Sequence, residues 1–449
     1  VENVIPFPYA VAPVQPVGHF IRLGESGYNK LADLHAAGRF PATRLVVDAS
    51  RIKHQRELIS ALRADGAEFV LDTKVAELSV LEKFAGYARH APWSAMGQSR
   101  PLAPEHFDPK HAGDIFGQIA RMAVEYGMDA VLAPSHFLGD PTFAGWFKID
   151  RASCLALRNA LDREGGNHIA VDYQLIVPHT KLNDDVTRSE ILDGLHDLAY
   201  DNLWIRASGF GHSSGPLATR GFISALTGLH NLGKPIVADY LGGLNGHAAL
   251  AFGAISGLCH GIGEKESFDA RSWHLPVEKS EDGNFGRATR VQISGIDRSA
   301  TVPELELMAS AYGARQLVTC CDRACCAHGL KSTLADPRQH AAYQSFTMIA
   351  ELASVPDHNR AGHFLNGRMV EVDRKARQVK DLKFDVAKAA ERNIDVAKLT
   401  KRLTDHSKQV GKMRLTLEDL HESRADGAPR ARPIAQRGNG QRLGIAGSR

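Results

Sequence analysis

The chain is short of cysteine, of long apolar runs and of net charge, and each shortage narrows what it is. Outside one stretch, "VTCCDRACCAHG" at residues 318–329, the only cysteines are Cys154 and Cys259. That distribution argues against a disulfide scaffold and sets the other thiols side by side. No apolar run approaches the roughly 18 residues that a membrane-spanning helix needs. The opening residues, "VENVIPFPYAVAPVQPVGHF", are rich in proline and poor in basic residues, unlike a secretory signal. A cytoplasmic location is therefore expected, where clustered cysteines more often hold metal than bond to one another. A net charge of +3 singles out no partner. The balance is uneven, however: after Arg424 come Arg430, Arg432, Arg437, Arg442 and Arg449 against the single acid Asp426.

What is present has the composition of an ordinary globular protein, with 43% hydrophobic and 23% charged residues over 449 positions. That length suits one large domain with additions, or two domains. From about residue 43 the chain alternates β-rich runs with amphipathic helices. The runs are "TRLVVDAS", "AEFVLDTK", "DAVLAPSH", "NHIAVDYQLIV", "LWIRASGF", "KPIVADYLGG" and "ISGLCHGIG". Each is nearly continuous in apolar residues, as strands buried on both faces of a parallel sheet are. Leu58 with Leu62, and Ile115 with Ile119 and Met122, form helical stripes between them. Thr187 and Glu190 read as a capping box. One more strand, from "GHFIRL" or "RVQISG", closes a ring of eight, so the expected fold is α/β, a (β/α)8 TIM barrel; an open doubly wound sheet is the alternative.

The expected organisation is an N-terminal segment 1–42, a barrel 43–300, a Cys/His zinc-binding subdomain with a helix 301–355, a helical extension 356–423, and a disordered basic tail 424–449. Thr301 caps a helix with Pro303 in its first turn, and Asp336-Pro337 opens another. No repeat appears at solenoid periods.

Several strands end on acids: Asp48, Asp72 and Asp239, with Asp172 near the end of its own. A barrel gathers strand ends at one rim, where carboxylates act as general bases or nucleophiles. Singly, each acid is as well explained as a helix cap or an ion-pair partner. His136 and His179 also follow strands and suit substrate binding or proton relay, although a lone histidine is more often structural. In "DYLGGLNGH", Gly242, Gly243 and Gly246 open a helix and let backbone N–H groups converge on an anion, or simply permit a tight turn. Gly209 and Gly211 in "ASGFG" offer similar donors.

Zinc takes four tetrahedral thiolate or imidazole ligands. Here they would be one cysteine of Cys320 and Cys321, one or both of Cys325 and Cys326, and His328 or His340. Otherwise these thiols are small buried apolar groups or an occasional redox pair.

A barrel followed late in the chain by a cysteine knot and a helix-borne histidine resembles the tRNA-guanine transglycosylase family. That family exchanges a guanine base in nucleic acid through a covalent aspartate, and binds structural zinc with three cysteines and a histidine. "LVVDAS" is similar to its strand ending Asp-Ser-Gly-Gly, which implies that Asp48 is a base-contacting acid. "VLDTK" places Asp72 as the substrate-reading aspartate, and "ASGFG" resembles the turn that contacts the purine. "KPIVADYLGG" is similar to a further strand of the family, and "CCDRACCAHG…RQH" resembles the zinc knot, giving Cys320, Cys325, Cys326 and His340 as ligands. The likeness spans residues 40 to 350. The chain departs where Asp48 is followed by Ala49-Ser50-Arg51, where Leu258-Cys259-His260 replaces the motif carrying the nucleophile, and in the cysteine spacing.

The resemblance implies base exchange on a purine or deazapurine in nucleic acid; on that reading Asp48 is catalytic, Asp239 is taken as catalytic in place of the missing nucleophile, and Asp72, Gly209, Gly211, Gly242 and Gly243, with His136 from its place after a strand, contact substrate. Glu264 is a second candidate for the missing nucleophile. The expected partners are nucleic acid (tRNA or DNA) and a purine-like small molecule; a homo-oligomer is compatible and a membrane is not. A phosphate- or flavin-binding barrel enzyme and a non-catalytic binding barrel are the alternatives.

Overall fold

A computed structural model describes residues 17–24, 27–40, 44–80, 86–139, 143–263, 265–274, 289–424, 430–435 and 437. Eight parallel strands close into a barrel. They are β1 (Gly18–Arg22), β2 (Arg44–Asp48), β3 (Glu68–Asp72), β4 (Ala130–Leu132), β5 (Ala170–Pro178), β6 (Leu203–Ser208), β7 (Ile236–Asp239) and β8 (Gly257–His260). The fold is the expected (β/α)8 barrel, and every apolar run of the sequence supplies one strand. The eighth comes from "GHFIRL", inside the segment 1–42: β1 pairs with β2 on one side and β8 on the other. "RVQISG" instead forms a hairpin outside the ring, β9 (Arg290–Ile293) against β10 (Arg298–Thr301).

The strands alternate their side chains between the two faces of the ring. Outward residues such as Leu45, Val47, Phe69 and Leu71 join one large core with Leu58, Leu62, Ile115, Ile119 and Met122 of the surrounding helices. Those helices are α1 (Gly27–Ala36), α2 (Arg56–Ala64), α3 (Ile115–Glu125), α4 (Phe143–Arg163), α5 (Asp185–Leu195), α6 (Pro216–Gly228) and α7 (Gly243–Ala251). Inward, Phe20, Val46, Val70, Trp204 and Val237 make an apolar layer with Leu132 and Cys259. Two residues further along the same strands stand Arg22, Asp48, Asp72, Arg206 and Asp239. The period of two that builds the apolar layer therefore also stacks a charged layer above it.

Beyond the barrel lie α8 (Val302–Ser310), α9 (Pro337–Ser354), α10 (Val370–Lys380) and α11 (Val396–Ser423). Thr301 caps α8 in a capping box with Glu304, and the Asp336 side chain caps α9. The hairpin, α8, Val379, Leu399 and Leu403 share a second core. The C-terminal helices are thus not merely exposed: α11 also buries Val410, Met413 and Leu417 against the main core.

Two expectations need correcting. Helix α5 starts before Thr187: its cap is Asp184, which accepts from the Thr187 amide at 2.9 Å. The stretch expected to be a disordered tail packs in part against the barrel. Ile434 is 3% exposed and joins the inner apolar layer, and Arg437 reaches Asp172 at 3.0 Å. Residues 425–429, 436 and 438–449 of that stretch, with Arg442 and Arg449, lie outside the described residues.

Candidate active site and metal centre

Register sets the acids side by side. Asp48 of β2 stands opposite Asp72 of β3, and both are buried. Arg22 then collects three carboxylates from three strands. Its Nη1 donates to Asp72 Oδ2 at 2.7 Å and to Asp48 Oδ1 at 3.3 Å, and its Nη2 donates to Asp239 Oδ2 at 2.6 Å. Arg206 adds a second guanidinium, donating to Asp72 Oδ2 and Asp239 Oδ2, both at 3.0 Å. A buried arginine without such partners would be prohibitively costly, so these charges hold one another in place.

The three carboxylates are not equivalent. Asp239 accepts from Arg22, Arg206 and the Tyr240 amide, with Gln174 Nε2 at 3.4 Å, and its side chain has no exposure. Asp72 spends Oδ2 on both guanidiniums and Oδ1 on the Lys74 amide at 2.9 Å. Among the described residues, Asp48 has one side-chain hydrogen bond, the 3.3 Å contact at Oδ1; its Oδ2 faces Lys265 Nζ at 3.9 Å, and its side chain is 10% exposed. Burial by itself would raise all three carboxyls. Lys74, Lys265 and Arg22 outweigh it at Asp48, Lys74 with Arg22 and Arg206 at Asp72, and Arg22 with Arg206 at Asp239, so each is held below its ordinary value and ionised. Burial opposes charge on Lys74 and Lys265 too, yet nearby carboxylates, Asp48 foremost, hold both ammoniums above their ordinary value. Lys74 also pairs with Glu77.

Three of these loops carry strain. Lys74, Tyr240 and Lys265, just beyond β3, β7 and β8, all take left-handed backbone angles, φ 58°, 58° and 56°. Such conformations cost about 1–3 kcal/mol each and cluster at functional sites. At Tyr240 the result is visible: its ring lies 4.6 Å from both the Arg22 and the Arg206 guanidinium carbons and leads to Phe268 and Trp273. An aromatic shelf thus covers the charged layer.

The other candidates are placed differently. Cys259 is fully buried, and burial with Asp239 alongside pushes its thiol well up, so it is held neutral. His136 turns to helix α4: its Nδ1 is 2.6 Å from Asp150 Oδ1 and its ring stacks on Trp146 at 3.8 Å. It makes no contact with the rim acids among the described residues. Gly209, at φ 80°, is the turn between β6 and a two-residue strand, Phe210–Gly211, that pairs with Ser267–Phe268; its amide donates to the Phe268 carbonyl at 2.8 Å, and His179 packs on it. At Gly242 and Gly243 the N-terminus of α7 already holds a carboxylate: Asp297 Oδ2 accepts from the Leu244 amide at 2.9 Å, and Glu266 packs on Gly242. Asp172 lies a layer deeper, bonded to Trp204 Nε1 at 2.8 Å and to Asn202. Glu264 lies outside the described residues.

Sequence reading named the acids but not Arg22, Arg206, Lys74, Lys265 or Tyr240. The signal for the arginines was there: in "HFIRL" and "LWIRAS" a charge interrupts a run otherwise fit for burial, and such a charge needs partners.

The cysteine stretch forms a compact Cys3His group. Ligand atoms of Cys320, Cys325, Cys326 and His340 all lie within 4.8 Å of one another, and all four residues are buried. His340 Nε2 donates to the Gln292 carbonyl at 3.1 Å, which leaves Nδ1 unprotonated and facing Cys325 Sγ at 3.3 Å and Cys326 Sγ at 3.6 Å. That is the tautomer a metal ligand needs. Cys321 is exposed, and neither it nor His328 belongs to the group.

No helix among the described residues is long and apolar enough to cross a membrane. No protein-family model matches the sequence, and no curated protein matches it.

Proposed function

We propose that this barrel is a base-exchange enzyme acting on the N-glycosidic bond of a purine or deazapurine nucleotide in nucleic acid, with Asp48 as the reacting carboxylate. The observation that carries the reading is the inequality among the rim acids. Asp72 and Asp239 spend their oxygens on short bonds to buried donors, whereas Asp48 Oδ2 has, among the described residues, only a long ion pair with Lys265 at 3.9 Å, which a ligand could displace. An ionised carboxylate with a small exposed edge is a competent nucleophile for an anomeric carbon. In the first displacement the C1′–N bond breaks and a C1′–O ester to Asp48 forms. The bonding pair departs with the base, beside the Lys265 ammonium. An incoming base reverses the step. Tyr240 and its aromatic neighbours offer a flat surface for a heterocycle to stack on. Asp239 is a positioning residue, since it acts through Arg22. The order of pieces, a charged barrel mouth followed by a Cys3His group, supports the same reading through its likeness to the transglycosylases.

The Cys3His group has the donor set that zinc prefers, and all four positions come from protein, which suits a structural ion. We read it as a clamp between the cysteine loop and the start of α9.

A small-molecule enzyme using Gly242–Gly243 as a phosphate cradle is less well supported, because Asp297 occupies that helix end. A binding-only barrel is favoured by the completeness of the pairing around Arg22. Turnover separates these readings. The full chain, incubated with tRNA or DNA and isotope-labelled guanine or 7-deazaguanine, should transfer label to the polymer, and Asp48→Asn should not. No transfer to either polymer by the unmodified chain would contradict the proposal.

A further inference from the structure

Beside the turn that follows Asp48 in the chain opens a cleft of about 390 Å³ that base exchange as described does not use. Its volume falls in the range of small-ligand sites, about 300–1,000 Å³. Its walls include Ala49, Ser50, Arg51, Lys53, His54 and His90. Every ionisable side chain among the described lining residues is basic. We propose that this cleft is a binding site for a phosphate group.

Two loops build it, and both are pinned to the barrel. After β2, the turn Ile52–Gln55 buries its first and last residues, and Gln55 Nε2 donates to the Gly24 carbonyl at 2.8 Å. With both ends anchored, Lys53 and His54 between them stay exposed, and Arg51 is half-buried. His90 arrives on the turn Gly86–His90. The following turn is fixed by Trp93, which is fully buried and donates from Nε1 to the Thr73 carbonyl at 3.0 Å. The basic groups are therefore presented by a preorganised frame, which lowers the ordering cost of binding.

The exposed Lys53 ammonium and His54 imidazole, with the Arg51 and His90 side chains beside them, give the cleft a basic lining suited to a multiply charged tetrahedral anion. Ala49 and Ser50 directly follow Asp48, so the cleft adjoins the strand end that carries that carboxylate. Its use in aligning a nucleotide with Asp48 rests on the reading given above; the binding of phosphate does not. The phosphate has two chemical sources, a phosphodiester of a polynucleotide or a small phosphate such as a monoester.

Calorimetric titration of the full chain with inorganic phosphate, and separately with a single-stranded oligonucleotide, tests the site. The unmodified chain should bind phosphate saturably. The double variant Arg51→Met/Lys53→Met should weaken that binding at least tenfold at an unchanged melting temperature. Lys53→Met alone, at an exposed position, should weaken it several-fold and covers the case in which the double variant misfolds. Parallel weakening of oligonucleotide binding assigns the phosphodiester; an unaltered oligonucleotide affinity assigns a small phosphate. Equal phosphate affinity in the unmodified chain and the variants, or no saturable binding, overturns the site. Asp48→Asn should keep phosphate binding while losing exchange, so failure of the cleft and failure of the Asp48 assignment are read separately.

Discussion

Arg22 and Asp239, 217 positions apart in the chain, meet through two hydrogen bonds inside the barrel mouth, Nε to Oδ1 at 2.8 Å and Nη2 to Oδ2 at 2.6 Å. Both side chains are wholly buried. Removing one partner of such a pair leaves an uncompensated charge and costs about 3–5 kcal/mol. Arg22→Met should therefore lower the unfolding free energy by about that amount in urea titrations. Asp48→Asn removes one long contact to Arg22 and the charge facing Lys265 and Lys74, and should cost clearly less than Arg22→Met. Equal losses in the two variants would contradict the ranking of the carboxylates.

Acid should unfold the protein in two stages. His247 and His260 are buried and His19 is half-buried; lost hydration, reinforced at His19 by His260 and His247 and at His247 by Arg368 and His260, lowers their pKa values, that of His247 to about 3. In the unfolded chain they titrate near 6.5. Between these values the unfolded state binds more protons, so stability is complete above about pH 6.5 and falls as pH drops below it. Asp48, Asp72 and Asp239, held low in the fold, add a second loss as pH falls below about 4. The urea midpoint should drop from pH 7.5 to 5.5 and again to 3.5, with a shallower first drop in His247→Asn. A midpoint constant from pH 7.5 to 5.5 would contradict the first stage.

Metal analysis of the purified chain should find about one zinc per chain. Cys325→Ser or His340→Ala should lose it, and Cys321→Ser should keep it, since Cys321 stands outside the group. Chelation should lower the melting temperature of the unmodified chain and leave that of Cys325→Ser unchanged. Zinc retained by Cys325→Ser would contradict the ligand set.

Ile434 lies against Gly18 and Gly257 at the start of two barrel strands, where a Cβ on either glycine would meet its Cδ1 at 2.5 or 2.8 Å. Ile434→Ala should cost about 2–4 kcal/mol, as for a core position. A cost below about 0.5 kcal/mol would show that the tail does not fill the base of the barrel.

How much of this was legible depends on length scale. The strands could be read because burial on both faces writes a continuous apolar run for each. The first strand could not be told from "RVQISG", because a run of five residues carries no sign of which edge it will close. The Asp184 cap and the Ile434 plug went unread for the same reason: each depends on what stands opposite in space. At the site, the acids announced themselves as charges at strand ends. Their inequality did not, because it comes from Arg22 and Arg206 converging across the ring. The Cys3His group was legible in part, because its members crowd one short segment and the next helical turn; the choice of Cys320 over Cys321 and His340 over His328 followed the resemblance.

The most direct test of the central claim is to trap the ester. The full chain is incubated with tRNA or DNA in the absence of an incoming base, denatured, digested and analysed by mass spectrometry. The account predicts a nucleic-acid adduct on the peptide carrying Asp48, absent from Asp48→Asn. An adduct on any other residue, or base exchange that proceeds at an undiminished rate in Asp48→Asn, would contradict it.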